Sequence, residues 1–279
     1  DQRRLAGIDI FQVPAFLLPF FAQSGFLFDL TELGGLELSP DAFYEGFLKS
    51  ASFNGNICGV PVVAAGICQY YNKKYESIVK ELFPVEGFWD YMEKLEALSR
   101  RLKFKDFESL IANAESLFTL AMLTNVNDPP SYDDMKSFNS SEFVEFIKRF
   151  EPYFTNERIF NSGIDFYSPA ALSSFLDGKN LILMGNTCWL PQIIEKCRFE
   201  VGIMPQVIEK SGTRQIAANI NVISSSTAYP EECLTVLGYL AELGTQRILA
   251  KNGRPVACMD ANDLLEVKGF EKDSVIQVI

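Results

Sequence analysis

Histidine is absent from this sequence. That removes Ser-His-Asp and Cys-His catalysis, histidine metal sites and histidine pH switches, and leaves carboxylate and lysine chemistry open. Positive charge is scarce: 25 Lys and Arg stand against 36 Asp and Glu, a net charge of −11, with no basic cluster beyond Arg100-Arg101. Nucleic-acid binding needs a basic face, so no nucleic-acid partner is expected. The cysteines at 58, 68, 188, 197, 233 and 258 form no C-x-x-C pair, which argues against zinc-ribbon and thioredoxin-type chemistry. Cys58 and Cys68 sit in an extended run, where ten residues span about 30 Å, beyond disulfide reach unless the chain turns. Most of the cysteines are expected to be small core residues. Asp133-Asp134 and Asp260 with Asp263 lack the glycine and terminal glutamate of a calcium loop. No metal or cofactor is expected. Residues 11–28 carry no charge, but Pro14 and Pro19 interrupt them, which favours a buried loop and helix over a membrane span.

What is present is ample apolar material, 48% of 279 residues, enough for one large core or two smaller ones. Short apolar runs alternate with amphipathic segments, so the class is α/β. Residues 8–11 read as a strand leading through a loop to a helix with Phe20 and Phe21. Residues 59–71 read as one long strand with Gly66 inside, by pattern alone an ordinary buried strand with a bulge. Met92, Leu95, Leu98 and Leu102 mark a helix face, and residues 141–150 form another amphipathic helix. Residues 107–111 and 181–184 read as strands, the second bounded by Gly185. Ser168-Pro169 starts a helix that Gly178 ends, and Pro191 starts the next. From Pro230, an apolar face of Cys233, Val236, Leu237, Leu240, Leu243 and Ile248 predicts a helix that Gly253 stops.

Several ordered motifs stand out. They are Asp9-Ile10-Phe11, Gln23-Ser24-Gly25-Phe26-Leu27-Phe28-Asp29-Leu30-Thr31, Asn54-Gly55-Asn56-Ile57-Cys58-Gly59-Val60-Pro61 and Tyr70-Tyr71-Asn72-Lys73. Further on come Asp177-Gly178-Lys179-Asn180-Leu181, Gly185-Asn186-Thr187-Cys188-Trp189, Phe199-Glu200-Val201-Gly202-Ile203-Met204-Pro205 and Asn252-Gly253-Arg254-Pro255. Over residues 7–257 this series resembles the family 1 extracellular solute-binding proteins, the sugar-capturing receptors of bacterial ABC importers. The resemblance implies a two-lobed α/β fold of the periplasmic-binding-protein type II class, with a hinge between lobes. Residues 1–64 and 221–258 would form the first lobe, and 65–220 and 259–279 the second. The hinge would be crossed at residues 61–66, near 219–222 and again after Pro255. Family members begin with a secretion or lipoprotein signal, a strand and a helix, and continue with further helices. The sequence is therefore expected to be a fragment or a shortened relative.

The resemblance also implies a sugar site of aromatic faces for pyranose rings and amides or carboxylates for hydroxyls. Trp189 matches the family's cleft tryptophan, against the alternative of a core tryptophan. Asn186 shares its turn, as a ligand amide or a turn former. Gln12 and Phe16 follow Asp9-Ile10-Phe11, where Ile8 replaces the family's proline. Their loop is uncharged where relatives carry charge, so it is either a stacking surface or a buried loop. Glu115 falls at a strand-to-helix junction, as a hydroxyl acceptor or a helix-dipole partner. Ala65 and Gly66 match the first crossing and would offer backbone groups. Asn219 and Asn221 match the return crossing on one strand face, which borders ligand or solvent. Trp89 is structural in the family, and Arg254 is expected at the surface. Adjacent Tyr70 and Tyr71 point to opposite strand faces, so packing is expected rather than ion binding.

The implied function is binding without catalysis. A monomeric extracellular or periplasmic receptor, tethered as a lipoprotein, would close on a mono- or oligosaccharide and dock on a permease. The rivals are a receptor for another solute such as a polyamine or metal complex, a carboxylate-dependent enzyme acting on sugars, and a sensory or structural lobe that has lost transport.

Overall fold

The computed structural model describes residues 7–34, 38, 40–102, 108–112, 117–118, 122, 139–160, 170–205 and 216–278. In chain order the strands are β1 (Ile10–Pro14), β2 (Ser52–Phe53), β3 (Asn56–Ile57), β4 (Gly59–Pro61), β5 (Ala65–Asn72), β6 (Ser109–Ala112), β7 (Asn180–Asn186), β8 (Val201–Pro205), β9 (Ile216–Ala217) and β10 (Asn219–Ile223). The chain divides into two compact units, residues 1–66 with 216–277, and residues 67–215.

Alternation sets up the sheet of the first unit. Ile220 and Val222 are fully buried while Asn219 is exposed and Asn221 half-buried, so β10 has one core face and one polar face. It lies between β1 and β4, antiparallel to both. The expected first strand is shifted to Ile10–Pro14. Pro14 fits its end because β1 is an edge strand and proline has no N–H for the ladder. Pro19 then lies in the first turn of the helix Leu18–Gln23, where its missing N–H is harmless. Asn54 and Gly55, at φ 51° and 86°, join β2 to β3, as a two-residue hairpin turn of primed type requires.

Residues 59–71 do not form one strand. β4 ends at Pro61 and β5 begins at Ala65. Between them Val63 bridges Val256, the Ala257 N–H bonds Val62 O at 2.9 Å, and the Ala64 N–H bonds Pro255 O at 3.0 Å. The helix expected from Pro230 is likewise two, Pro230–Ala241 and Leu243–Lys251, broken at the extended residue Glu242. Its expected apolar face is only partly covered: Cys233 and Leu237 are buried, but Val236 and Ile248 are exposed. The position that faces inward is Gln246, fully buried, whose amide donates to Leu240 O at 3.2 Å and accepts from the Cys258 N–H at 2.8 Å.

The sheet of the second unit runs β6-β7-β5-β8, with β6 parallel to β7 and both β7 and β8 antiparallel to β5. The helix Phe88–Arg101 buries Tyr91, Met92, Leu95 and Leu98 against Leu110, Ile111, Leu181 and Ile182. The helix Ser141–Phe154 adds Phe146 and Phe150, stacked 5.9 Å apart. Its start is capped by Ser140, which accepts from the Phe143 N–H at 3.2 Å. Trp89 belongs to this packing, with the Arg149 guanidinium 3.9 Å from its ring centre. Asn180, fully buried, donates to Ser109 at 2.8 Å and accepts from Ser174 at 2.6 Å. Gly178, at φ 76°, ends the helix Ala170–Leu176; Ser168 and Pro169 lie outside the described residues.

The units differ from the expected lobes in two places. Residues 259–277 belong to the first unit, so the chain does not pass to the second unit at residue 259. The reason is local: Asn262 is fully buried, accepts from the Val256 N–H at 3.0 Å and donates to Val256 O at 2.8 Å. The return passage falls between Gln215 and Ile216 rather than at residues 219–222, because all of β10 is engaged by β1 and β4.

Candidate functional site

In the second unit β7 runs through Gly185 to Asn186, so Gly185 lies inside the strand and does not bound it. The next three residues, Thr187–Trp189, form a 3-10 turn, and the helix Leu190–Lys196 follows with Pro191 in its first turn. Asn186 builds the turn: its side-chain oxygen accepts from the Cys188 N–H at 3.0 Å, an Asx arrangement. Its carbonyl accepts the Tyr70 hydroxyl at 2.9 Å. Trp189 is half-buried and Cys188 exposed. The indole lies over Gly185, where an added Cβ would stand 2.5 Å from Cε3 and 2.7 Å from Cζ3.

Burial pushes the Cys68 thiol up to about 12 and holds the Tyr70 phenol well above its usual value, with the nearby Cys68 acting in the same direction. Both stay neutral across the physiological range. A partly open indole over the bare Cα of Gly185, beside an amide-bearing turn, can receive the apolar face of a sugar ring.

In the first unit Gln12 pairs with Asn221 across β1 and β10. The Gln12 amide lies 3.5 Å from Asn221 Oδ1, a weak contact, and Asn221 donates to Val60 O at 3.2 Å. Asn219 shares this face opposite Pro14 and is exposed. β1 leads into the 3-10 turn Ala15–Leu17, held by the Ala15 N–H on Ala218 O at 2.8 Å. There Phe16 is 67% exposed, so its loop is not buried. Phe20 is 61% exposed and meets Phe21 edge-on at 5.7 Å, while Phe21 packs on Phe11 and Phe26. Ala65 and Gly66 pair with Ala217 and Ile216 and are buried. Glu115 lies outside the described residues.

The expected residues therefore gather in two places: Trp189 and Asn186 on one turn of the second unit, and Gln12, Asn219 and Asn221 on one sheet face of the first, with Phe16 on the turn that follows. Phe20, Tyr70 and Gly185 were not in the expected set. For Phe20, the uncharged run 11–28 was the available signal. Elsewhere in the first unit a pocket of about 400 Å³ is lined by Lys251, Glu266, Val267, Lys268, Phe270 and Lys272, none of them a candidate. Among the described residues, no group of three or more Cys, Asp and Glu is placed to hold a metal ion, and no helix is long and apolar enough to cross a membrane.

No protein-family model matches the chain, and none of the curated proteins does. Solved structures do. An ABC substrate-binding protein from Listeria monocytogenes in complex with cycloalternan aligns at a TM-score of 0.75 and 17% identity, over 99% of this chain and 74% of that one. UgpB from Mycobacterium tuberculosis, in complex with glycerophosphocholine, aligns at 0.72 and 16%, over 93% and 69%. The maltose-binding periplasmic protein of Listeria monocytogenes, in complex with maltose, aligns at 0.68 and 17%, over 100% and 73%. The fold is that of the two-lobed solute-binding proteins. At such identities the likeness establishes the fold, and function has to be argued from the site.

Proposed function

We propose that the chain is a family 1 solute receptor that captures a mono- or oligosaccharide and delivers it to an ABC transporter permease. The observation that carries this reading is Trp189: a half-buried indole on a short turn at the end of β7, where α/β sheets place ligands. It is supported by the exposed Phe16 and the uncovered amides of Gln12 and Asn219, which supply a second aromatic face and hydroxyl partners. Neighbours that carry maltose and cycloalternan support it further. Trp189, Asn186, Gln12, Phe16, Asn219 and Asn221 are the proposed ligand residues, with backbone groups at Ala65 and Gly66, and Glu115 as a further hydroxyl acceptor. The receptor works as an extracellular or periplasmic monomer, tethered as a lipoprotein, and binds without catalysis.

A second reading, a receptor for another small solute, is favoured by the neighbour that carries glycerophosphocholine. The exposed aromatics that suit a sugar also suit a quaternary ammonium. A thermal-shift screen separates the two. A ligand present at a hundredfold over its Kd stabilises the folded state by about 2.7 kcal/mol. Maltose, maltotriose, glucose, glycerophosphocholine and spermidine form the panel. The sugar reading expects a melting-temperature rise with at least one sugar and none with the other two solutes. A rise with glycerophosphocholine alone contradicts it.

A further inference from the structure

We infer that Tyr70 and Gly185 are positioning residues for Trp189: they set the plane and depth of its indole, so that one face is presented to a pyranose ring. The inference rests on the sugar-receptor reading and assigns it two residues outside the direct contact set.

Gly185 sits inside a buried strand, paired with Cys68. Glycine weakens a strand interior, so its presence there needs a reason. Backbone conformation is not that reason, because Gly185 is not among the glycines of positive φ. The reason is the ring above it. A Cβ would stand 2.5 and 2.7 Å from two indole carbons, and 3.3 Å from Cε2 of Tyr70. The two aromatic rings therefore share the space over one bare Cα. A side chain at 185 would have to lift the indole away from β7.

Tyr70 adds a second restraint. Its ring is fully buried, and packing alone would be met by phenylalanine. The hydroxyl does something further: it donates to Asn186 O at 2.9 Å. The side chain of the same asparagine closes the turn on the Cys188 N–H. The backbone of the residue that begins the Trp189 turn is thus tied to β5. A stacking platform held in its bound orientation loses less freedom on binding than a mobile one, so a loosened indole binds sugar less well even where the unit stays folded. Burial keeps Cys68 and Tyr70 neutral, which suits the apolar face of a neutral pyranose.

The test uses a Trp89→Phe parent, in which Trp189 becomes the sole tryptophan of the two present. Tyr70→Phe and Gly185→Ala are made in that parent. Acrylamide quenching of Trp189 is read without ligand, and maltose affinity by calorimetry. Both variants are expected to make Trp189 more quenchable. Tyr70→Phe, which removes one hydrogen bond, is expected to weaken maltose binding about tenfold, and Gly185→Ala more than that, in protein that is folded at the assay temperature. A merely structural role would lower the melting temperature and leave quenching and affinity at the parent's values; that result overturns the inference. If Gly185→Ala fails to fold, Tyr70→Phe alone decides. If Trp189→Ala abolishes maltose binding while the two variants bind like the parent, the receptor reading stands and the positioning role falls. If the parent binds no maltose, that reading fails for this sugar, and the quenching comparison still decides whether Tyr70 and Gly185 hold the indole.

Discussion

Burial keeps several weak acids of the second unit neutral. The Cys68 thiol is pushed from near 9 to about 12, and the fully buried Tyr70 and Tyr91 phenols are also raised. Each is neutral in the folded protein at a pH where the unfolded chain has already lost the proton. Stability from these groups is complete below the unfolded value and declines as pH rises above it, because the unfolded state then binds fewer protons than the folded one. Above about pH 9, Cys68 alone contributes a decline of at most about 1.4 kcal/mol per pH unit. The urea midpoint is therefore expected to fall from pH 8.5 to 10.5, and Cys68→Ala to flatten the fall between pH 9 and 10. A midpoint that holds steady or rises over that range, or a slope that Cys68→Ala leaves intact, contradicts this. At this scale the sequence was readable where one residue carries its own signal. Trp189 follows a strand and a turn, and Asn186 is a turn former in its own right. The fit of Trp189 onto Gly185 was not readable, because the glycine resembles a strand terminator until the ring above it is seen.

Among the elements, periodicity located the helices Phe88–Arg101 and Ser141–Phe154 and the strand face that carries Asn219 and Asn221. It failed where backbone pairing outweighs pattern. Residues 59–71 are apolar throughout, so nothing in them separates β4 from β5; the break is made by hydrogen bonds to Pro255 and from Ala257, nearly two hundred residues away in sequence. The helix break at Glu242 was hidden in the same way. Apolar spacing continues past it, while the buried residue that joins the two pieces is Gln246. Its amide takes up the Leu240 carbonyl left over at the first helix's end and pairs the Cys258 N–H. Gln246→Leu keeps the bulk and strands both partners in the core. It is expected to cost about 1–3 kcal/mol in a urea unfolding curve. An unchanged midpoint would mean that these hydrogen bonds are replaced by others.

For the whole molecule, the ordered motifs were enough to indicate a two-lobed solute-binding fold, and solved structures carry that fold over nearly the full chain. The course of the chain between units was less legible. Family order suggested three crossings, whereas residues 216–277 all belong with the first unit once Asn262 and the Pro255 segment are seen to pack there. The central claim, a sugar receptor whose main stacking residue is Trp189, is tested most directly by calorimetric titration of the best sugar from the panel into the native chain and into Trp189→Ala, with a urea curve on each. A central aromatic anchor commonly supplies roughly 2 kcal/mol or more of binding, so affinity is expected to fall about thirtyfold or further while the mutant remains folded at the titration temperature. A mutant that loses about 3–5 kcal/mol of stability, as a core aromatic would, yet binds the sugar as tightly as the native chain, contradicts it.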